Sequence, residues 1–172
     1  MSAIIIRGPL AVGKTTIGKM LADELGGCYV SFDQIMDENK LDQAEEGGGI
    51  ALEGFLKGNA LAVASVQAEL DAGITVVFDG CFYHLDQLEN LITALPGGAD
   101  VFTLKAPLET CILRDRGREL TYGVDAAAAV HAMVSQFDYG TCIETDGKTV
   151  ELVVAEIRKA IGKDAQGDFD GN

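Results

Sequence analysis

Gly8-Pro9-Leu10-Ala11-Val12-Gly13-Lys14-Thr15 is the stretch that decides how this chain is read. Its spacing is GxxxxGK[ST], a loop whose backbone N–H groups cradle a polyphosphate. Ahead of it, residues 3–7 form a β-branched apolar run ending at a glycine, which predicts a buried strand. Behind it, residues 14–25 place Ile17, Met20, Leu21 and Leu25 at helical spacing, and Gly26-Gly27 stop that helix. Strand, loop and helix in that order are the context the motif requires. Gly8 and Gly13 let the backbone curl so that its N–H groups converge, and the helix N-terminus adds partial positive charge. The nucleotide-binding set is therefore Gly8, Ala11, Val12, Gly13, Lys14, Thr15 and Thr16. Lys14 would reach the β- and γ-phosphates, the Thr15 hydroxyl would hold Mg²⁺, and Thr16 would serve the α-phosphate. A glycine-rich turn before a helix is the bland alternative.

Outward from the loop, short apolar runs alternate with helical patterns. Strands are expected at 28–32, 74–78, 100–104 and 141–143. Helices are expected at 59–70, 84–94, 125–137 and 150–161, with Pro107 opening a further one at its first turn. This alternation implies an α/β fold of three layers: about five parallel strands with helices on both faces, joined by right-handed crossovers, and a small lid. One domain is expected over 1–163, with a lid at about 114–123, an acceptor-side segment at about 34–58 and an acidic tail at 164–172. Residues 37–49 carry five acids and three consecutive glycines and read as an exposed connection.

The chain has 172 residues, 27 acidic and 13 basic, for a formal net charge of −14. Duplex binding needs many phosphate-neutralising cations, so an extended nucleic-acid surface is excluded. The same charge disfavours an anionic membrane. No apolar run has the length of a spanning helix, and the N-terminus lacks a signal-peptide layout. The expected location is the cytoplasm. Cys28, Cys81, Cys111 and Cys142 are scattered without CxxC spacing, so reduced and mostly buried thiols are expected rather than a zinc cluster.

Three further features bear on chemistry. Ser31-Phe32-Asp33 ends the second strand on the carboxyl edge of the sheet, where ligands bind. A carboxylate there can accept a proton from an attacking hydroxyl, or else serve as a helix N-cap. Phe78-Asp79-Gly80 closes the third strand as four apolar residues and an Asp, suited to Mg²⁺ through water, or else is a strand-ending turn. Arg114-Asp115-Arg116-Gly117-Arg118 holds three of the five arginines, which points to a local anionic ligand, or else to a helix end pairing with Asp115 and Glu119. Guanidinium groups there would neutralise the transferring phosphoryl group and stack on a base. His84 has a place near the site, His131 a structural one, and no serine triad or glycosidase dyad is supported.

Together these residues resemble the small P-loop kinases that include chloramphenicol phosphotransferase, the polynucleotide-kinase domain and the zeta toxins. The resemblance runs from Ile4 to Ile161. It rests on the loop, Ser31-Phe32-Asp33, Val76-Val77-Phe78-Asp79, Ala106-Pro107-Leu108-Glu109 and the Arg-x-Arg-x-Arg run ending at Arg118. It implies Asp33 as catalytic base, Arg114 on the phosphates and Arg118 near the nucleotide. Where that group has an Asp-Thr pair before its last helix, this chain has Glu144-Thr145. It also lacks the Arg that usually follows the base Asp, since residues 34–39 contain none.

The expectation is therefore a P-loop phosphotransferase that moves the γ-phosphoryl group of ATP, with Mg²⁺, to a hydroxyl of a small acceptor. Lys14, Asp33, Arg114 and Arg118 form the catalytic set, Thr15 and Asp79 the metal set. With no Arg beside Asp33 and acids nearby, a neutral or cationic acceptor is favoured. The alternatives are a nucleoside or nucleotide kinase, and a regulatory ATPase with no small acceptor.

Overall fold

Residues 3–43, 50–117 and 121–164 are described by the structure, a computed structural model. The apolar runs form strands β1 (Ala3–Arg7), β2 (Cys28–Ser31), β3 (Val76–Gly80), β4 (Asp100–Lys105) and β5 (Thr141–Glu144). They make one parallel sheet in the order β2-β3-β1-β4-β5. The sheet grows from β1 in one direction through β3 to β2, and in the other through β4 to β5. The loop at residues 8–13 thus leaves the strand where that direction reverses, the place where such sheets bind ligands.

Strand side chains alternate between the faces, as pleating demands. Ala3, Ile5, Val76, Phe78 and Val101 meet helices α2 (Phe32–Glu38), α3 (Leu52–Ser65), α4 (Gln67–Asp71) and α5 (Leu85–Ala94). Ile4, Ile6, Val77, Phe102 and Leu104 meet α1 (Lys14–Leu25), α6 (Leu108–Arg116) and α8 (Val150–Asp164). Helix α7 (Val124–Val134) packs a smaller cluster, Val134 with Leu10 and Cys81, beside the loop. The α/β architecture of helices on both faces of five parallel strands is the expected one, and it is the P-loop kinase fold.

Several boundaries differ from expectation. Phe32 is not the end of a strand but the first residue of α2, where it is buried against the sheet. The Ser31 hydroxyl accepts the Gln34 N–H at 3.4 Å, so Ser31 caps that helix and Asp33 sits in its first turn. The helix expected at 59–70 starts at Leu52 and is interrupted at Val66, whose ψ of 14° is not helical. Gly54 and Gly58 lower the helix propensity of its first half. Gly58 is nevertheless needed, because a Cβ there would stand 3.0 Å from the Phe32 ring. Strand β3 runs on to Gly80, so Asp79 is a ladder residue opposite Ile6. Finally, α7 stops at Val134, and Asp164, assigned to the tail by composition, ends α8. The rest of the tail lies outside the described residues, as do residues 118–120 of the expected lid and 44–49 of the acceptor-side segment. Arg114 and Arg116 belong to helix α6 rather than to a loop.

Candidate active site

The loop and the first turn of α1 build an anion cradle. Gly8 is required by space: a Cβ on it would lie 2.8 Å from the Leu104 carbonyl oxygen. Gly13 has φ 111° and Ala11 has φ 59°, and these left-handed residues turn successive amides inward. The Lys14 side chain is buried, and its Nζ donates to the Pro9 carbonyl at 2.9 Å and lies 3.6 Å from Cys81 Sγ. Burial by itself would lower the Lys14 pKa, but Cys81, Asp33 and Asp79 around it outweigh burial and raise it. Thr15 and Thr16 stand exposed at the head of α1.

Two carboxylates close the cradle. Asp79 is 2% exposed, and its Oδ2 is buried without a hydrogen-bond partner. An ionisable oxygen left so is costly unless a cation or donor arrives. The Tyr29 hydroxyl is buried beside Asp79, Thr15 and Ser31, in good hydrogen-bond geometry with none of them. Burial, then Asp79, push its pKa up to about 12. A carboxylate with an orphaned oxygen and a threonine hydroxyl are hard donors that suit Mg²⁺, so the residues fit that ion. Asp33 is open to solvent on one side and crowded by protein on the others. That crowding raises its pKa, as does Asp79, while Lys14 and the Cys81 N–H pull it back down.

A cleft opens on each side of the cradle. On one side, about 340 Å³ is bounded by Ala11, Thr16, Arg114, Thr145, Thr149 and Val150. Arg114 is held there: Nη1 donates to the Val12 carbonyl and Thr145 Oγ1, both at 3.1 Å, and Nη2 donates to the Thr145 carbonyl at 3.0 Å. Thr145 thereby fastens the β5–α8 connection to the loop, where the resemblance set its Glu144-Thr145 pair. On the other side, about 780 Å³ is bounded by α2, the residues after β3 and α7. Asp33, Leu10 and Tyr122 border both this larger cleft and the cradle.

The structure brings Gly8, Ala11, Val12, Gly13, Lys14, Thr15, Thr16, Asp33 and Asp79 together around one cradle, with Arg114 on its flank. Arg118 lies outside the described residues. Among the described residues Asp115 has no arginine partner: its carboxylate is buried and accepts the N–H groups of Tyr122 and Gly123 at 3.0–3.2 Å. His84 places Nε2 3.4 Å from the Ile50 carbonyl, and His131 places Nε2 3.0 Å from that of Ala106. Neither borders the cradle. Cys81, Tyr29 and Tyr122 are site residues that no motif announced, while Thr145 belongs to the Glu144-Thr145 pair. Burial above all holds the Cys81 thiol up at about 11, so it stands beside Lys14 as a neutral thiol. All four cysteines are free, two of them buried, with Cys142 exposed.

The sheet order and this cradle define a P-loop protein of the kinase-fold class. Residues 4–139 match the model of a family described as an AAA domain, and the chain belongs to that family. A shikimate kinase from Moorella thermoacetica is 27% identical over 164 residues, covering 92% of this chain and 93% of that one. A sugar kinase from Janibacter sp. superposes with a TM-score of 0.78 at 18% identity, over 94% of this chain and 95% of that one. A tunicamycin resistance protein from Deinococcus radiodurans gives 0.65 at 22% identity over the same shares, 94% and 95%. No helix among the described residues is long and apolar enough to cross a membrane.

Proposed function

We propose that this protein is an ATP- and Mg²⁺-dependent kinase that phosphorylates a hydroxyl of a small molecule. The observation that carries the reading is Asp33, whose carboxylate borders both the phosphate cradle and the 780 Å³ cleft beside it. A nucleotide in the cradle and a hydroxyl in the cleft would meet at that residue. The shikimate kinase and sugar kinase likenesses support the same activity class. Ser31-Phe32-Asp33 and Ala106-Pro107-Leu108-Glu109 favour the chloramphenicol-phosphotransferase type within it.

In this reading the loop amides, Gly8 to Thr16, hold the polyphosphate, and Lys14 neutralises charge on its transferring end. Thr15 and Asp79 would hold Mg²⁺, which when bound neutralises the β- and γ-oxygens. Asp33 accepts the acceptor's proton as its oxygen bonds to the γ-phosphorus and the bond to ADP breaks. Arg114, moored to Val12 and Thr145, faces the nucleotide from the smaller cleft, and Arg118 is assigned beside it. Residues 1–163 act as one domain. The direct test is ADP release with and without a panel of hydroxyl compounds. Release that depends on an acceptor is the expected result. Acceptor-independent hydrolysis would replace this reading with that of a regulatory ATPase, and robust turnover of nucleoside monophosphates with that of a nucleotide kinase.

A further inference from the structure

The larger cleft carries information about what enters it. Its walls are apolar and aromatic: Phe55 and Tyr83 meet edge to face at 5.1 Å, and Phe32 and Phe82 stand 5.0 Å apart. Its polar rim is acidic. Asp33 and Asp37 are four residues apart on α2 and so share one face of that helix, and Asp42 follows on the same border of the cleft. No Lys, Arg or His borders it among the described residues. At about 780 Å³ it is sized for a drug-like molecule.

An anionic acceptor such as shikimate, whose carboxylate needs a cation, would meet three carboxylates along this cleft, while Lys14, the cation beside Asp33, lines the phosphate cradle rather than the cleft. A neutral polar compound would leave the aromatic wall badly matched. A cation with an apolar body satisfies both, because carboxylates pair with its charge and ring faces attract it. We propose that the acceptor is a hydroxylated amine with an aromatic or otherwise apolar body. Its ammonium lies between Asp37 and Asp42, its body on Phe55 and Tyr83, and its hydroxyl toward Asp33. This rests on the kinase reading above and names the substrate class of that same cleft.

The test uses three matched probes and the full chain: 2-amino-1-phenylethanol, its N-acetyl derivative and mandelic acid. Binding is measured by calorimetry, and ADP release separately. The amine is expected to bind roughly tenfold more tightly than the N-acetyl compound, with the acid weakest. Asp37→Asn and Asp42→Asn, both at exposed positions, are expected to bring amine and amide toward parity, and added salt to do the same. Equal binding of amine and amide, tighter binding of the acid, or no binding of any probe would overturn the proposal. The kinase reading fails by a different sign: ATP consumed at one rate whether or not any hydroxyl compound is present.

Discussion

Lys14 and Asp33 carry opposite charges into one cradle, and each makes the other's state cheaper. The ammonium is buried and survives as a cation because the Asp33 and Asp79 carboxylates surround it. Replacing Lys14 by Ala removes charge stabilisation at the transferring phosphoryl group, and kcat/KM is expected to fall roughly a hundred- to a thousandfold. Circular dichroism should show the fold retained, since among the described residues the side chain's hydrogen bonds go to the Pro9 carbonyl and the Cys81 sulfur. Retained activity in Lys14→Ala would sink the assignment. The Asp33 pKa is raised, chiefly by crowding, so the carboxyl keeps its proton to a higher pH than an ordinary carboxylate. A base acts only when deprotonated. Acceptor-dependent ADP release should therefore decline as pH falls through that raised value, with an acid limb above the usual region near about 4. A rate that stays level down to that region would show that Asp33 is not the base. Both residues were legible because short motifs and a strand end announce them. Tyr29 and Cys81 were not, and Thr145 was legible only through the resemblance. Thr145 reaches Val12 across 133 positions of chain, and no local pattern encodes a meeting of that kind.

At the scale of elements, periodicity sufficed wherever one signal acted alone. The strand at Ala3–Arg7 and the helix at Lys14–Leu25 fall at their expected bounds, since a β-branched run and a helical stripe leave little choice. Reading failed where tertiary packing overrode propensity. Phe32 suits a strand by composition, but the Ser31 cap and the Phe32–Phe82 contact draw it into α2. That shift sets Asp33 and Asp37 on one helix face. Arg7 is a second case of packing that no local pattern encodes: it ends the strand expected to be buried and, although charged, is fully buried. Its guanidinium donates to the carbonyls of Phe82, Phe137 and Val134 at 3.0–3.3 Å and lies 4.2 Å from the Phe137 ring. One side chain thus joins β1, the turn after β3 and the C-terminal end of α7, all of which border the larger cleft or support it. Arg7→Met would strand those carbonyls away from water. A loss of about 2–4 kcal/mol is expected, read as a lower denaturant midpoint at unchanged slope. A midpoint equal to the parent's would show that the carbonyls find other partners.

At the scale of the whole molecule, the excess of acid acquires a geography. The net charge of −14 disfavours broad binding to polyanions, and Lys14 and Arg114 are nevertheless set around one cradle. A polyphosphate bound there brings more negative charge toward Asp33 and Asp79, so its affinity must depend on a cation that offsets them. That dependence is measurable without knowing the acceptor. A ligand that binds only the folded chain adds about 2.7 kcal/mol at a hundred times its Kd. For a chain of this size each kcal/mol moves the melting temperature by about 2–4 °C, so ATP with Mg²⁺ is expected to raise it by roughly 5–10 °C. Chelating the Mg²⁺ should remove most of that gain, because the orphaned Asp79 oxygen then faces the polyphosphate bare. Asp79→Asn separates the two contributions. It lessens repulsion but weakens the ion's site, so ATP alone should stabilise the variant more than the parent, while adding Mg²⁺ should help it less. If Mg²⁺ makes no difference to the melting temperature of the parent with ATP, then Asp79 is a structural strand end and not a metal-site residue.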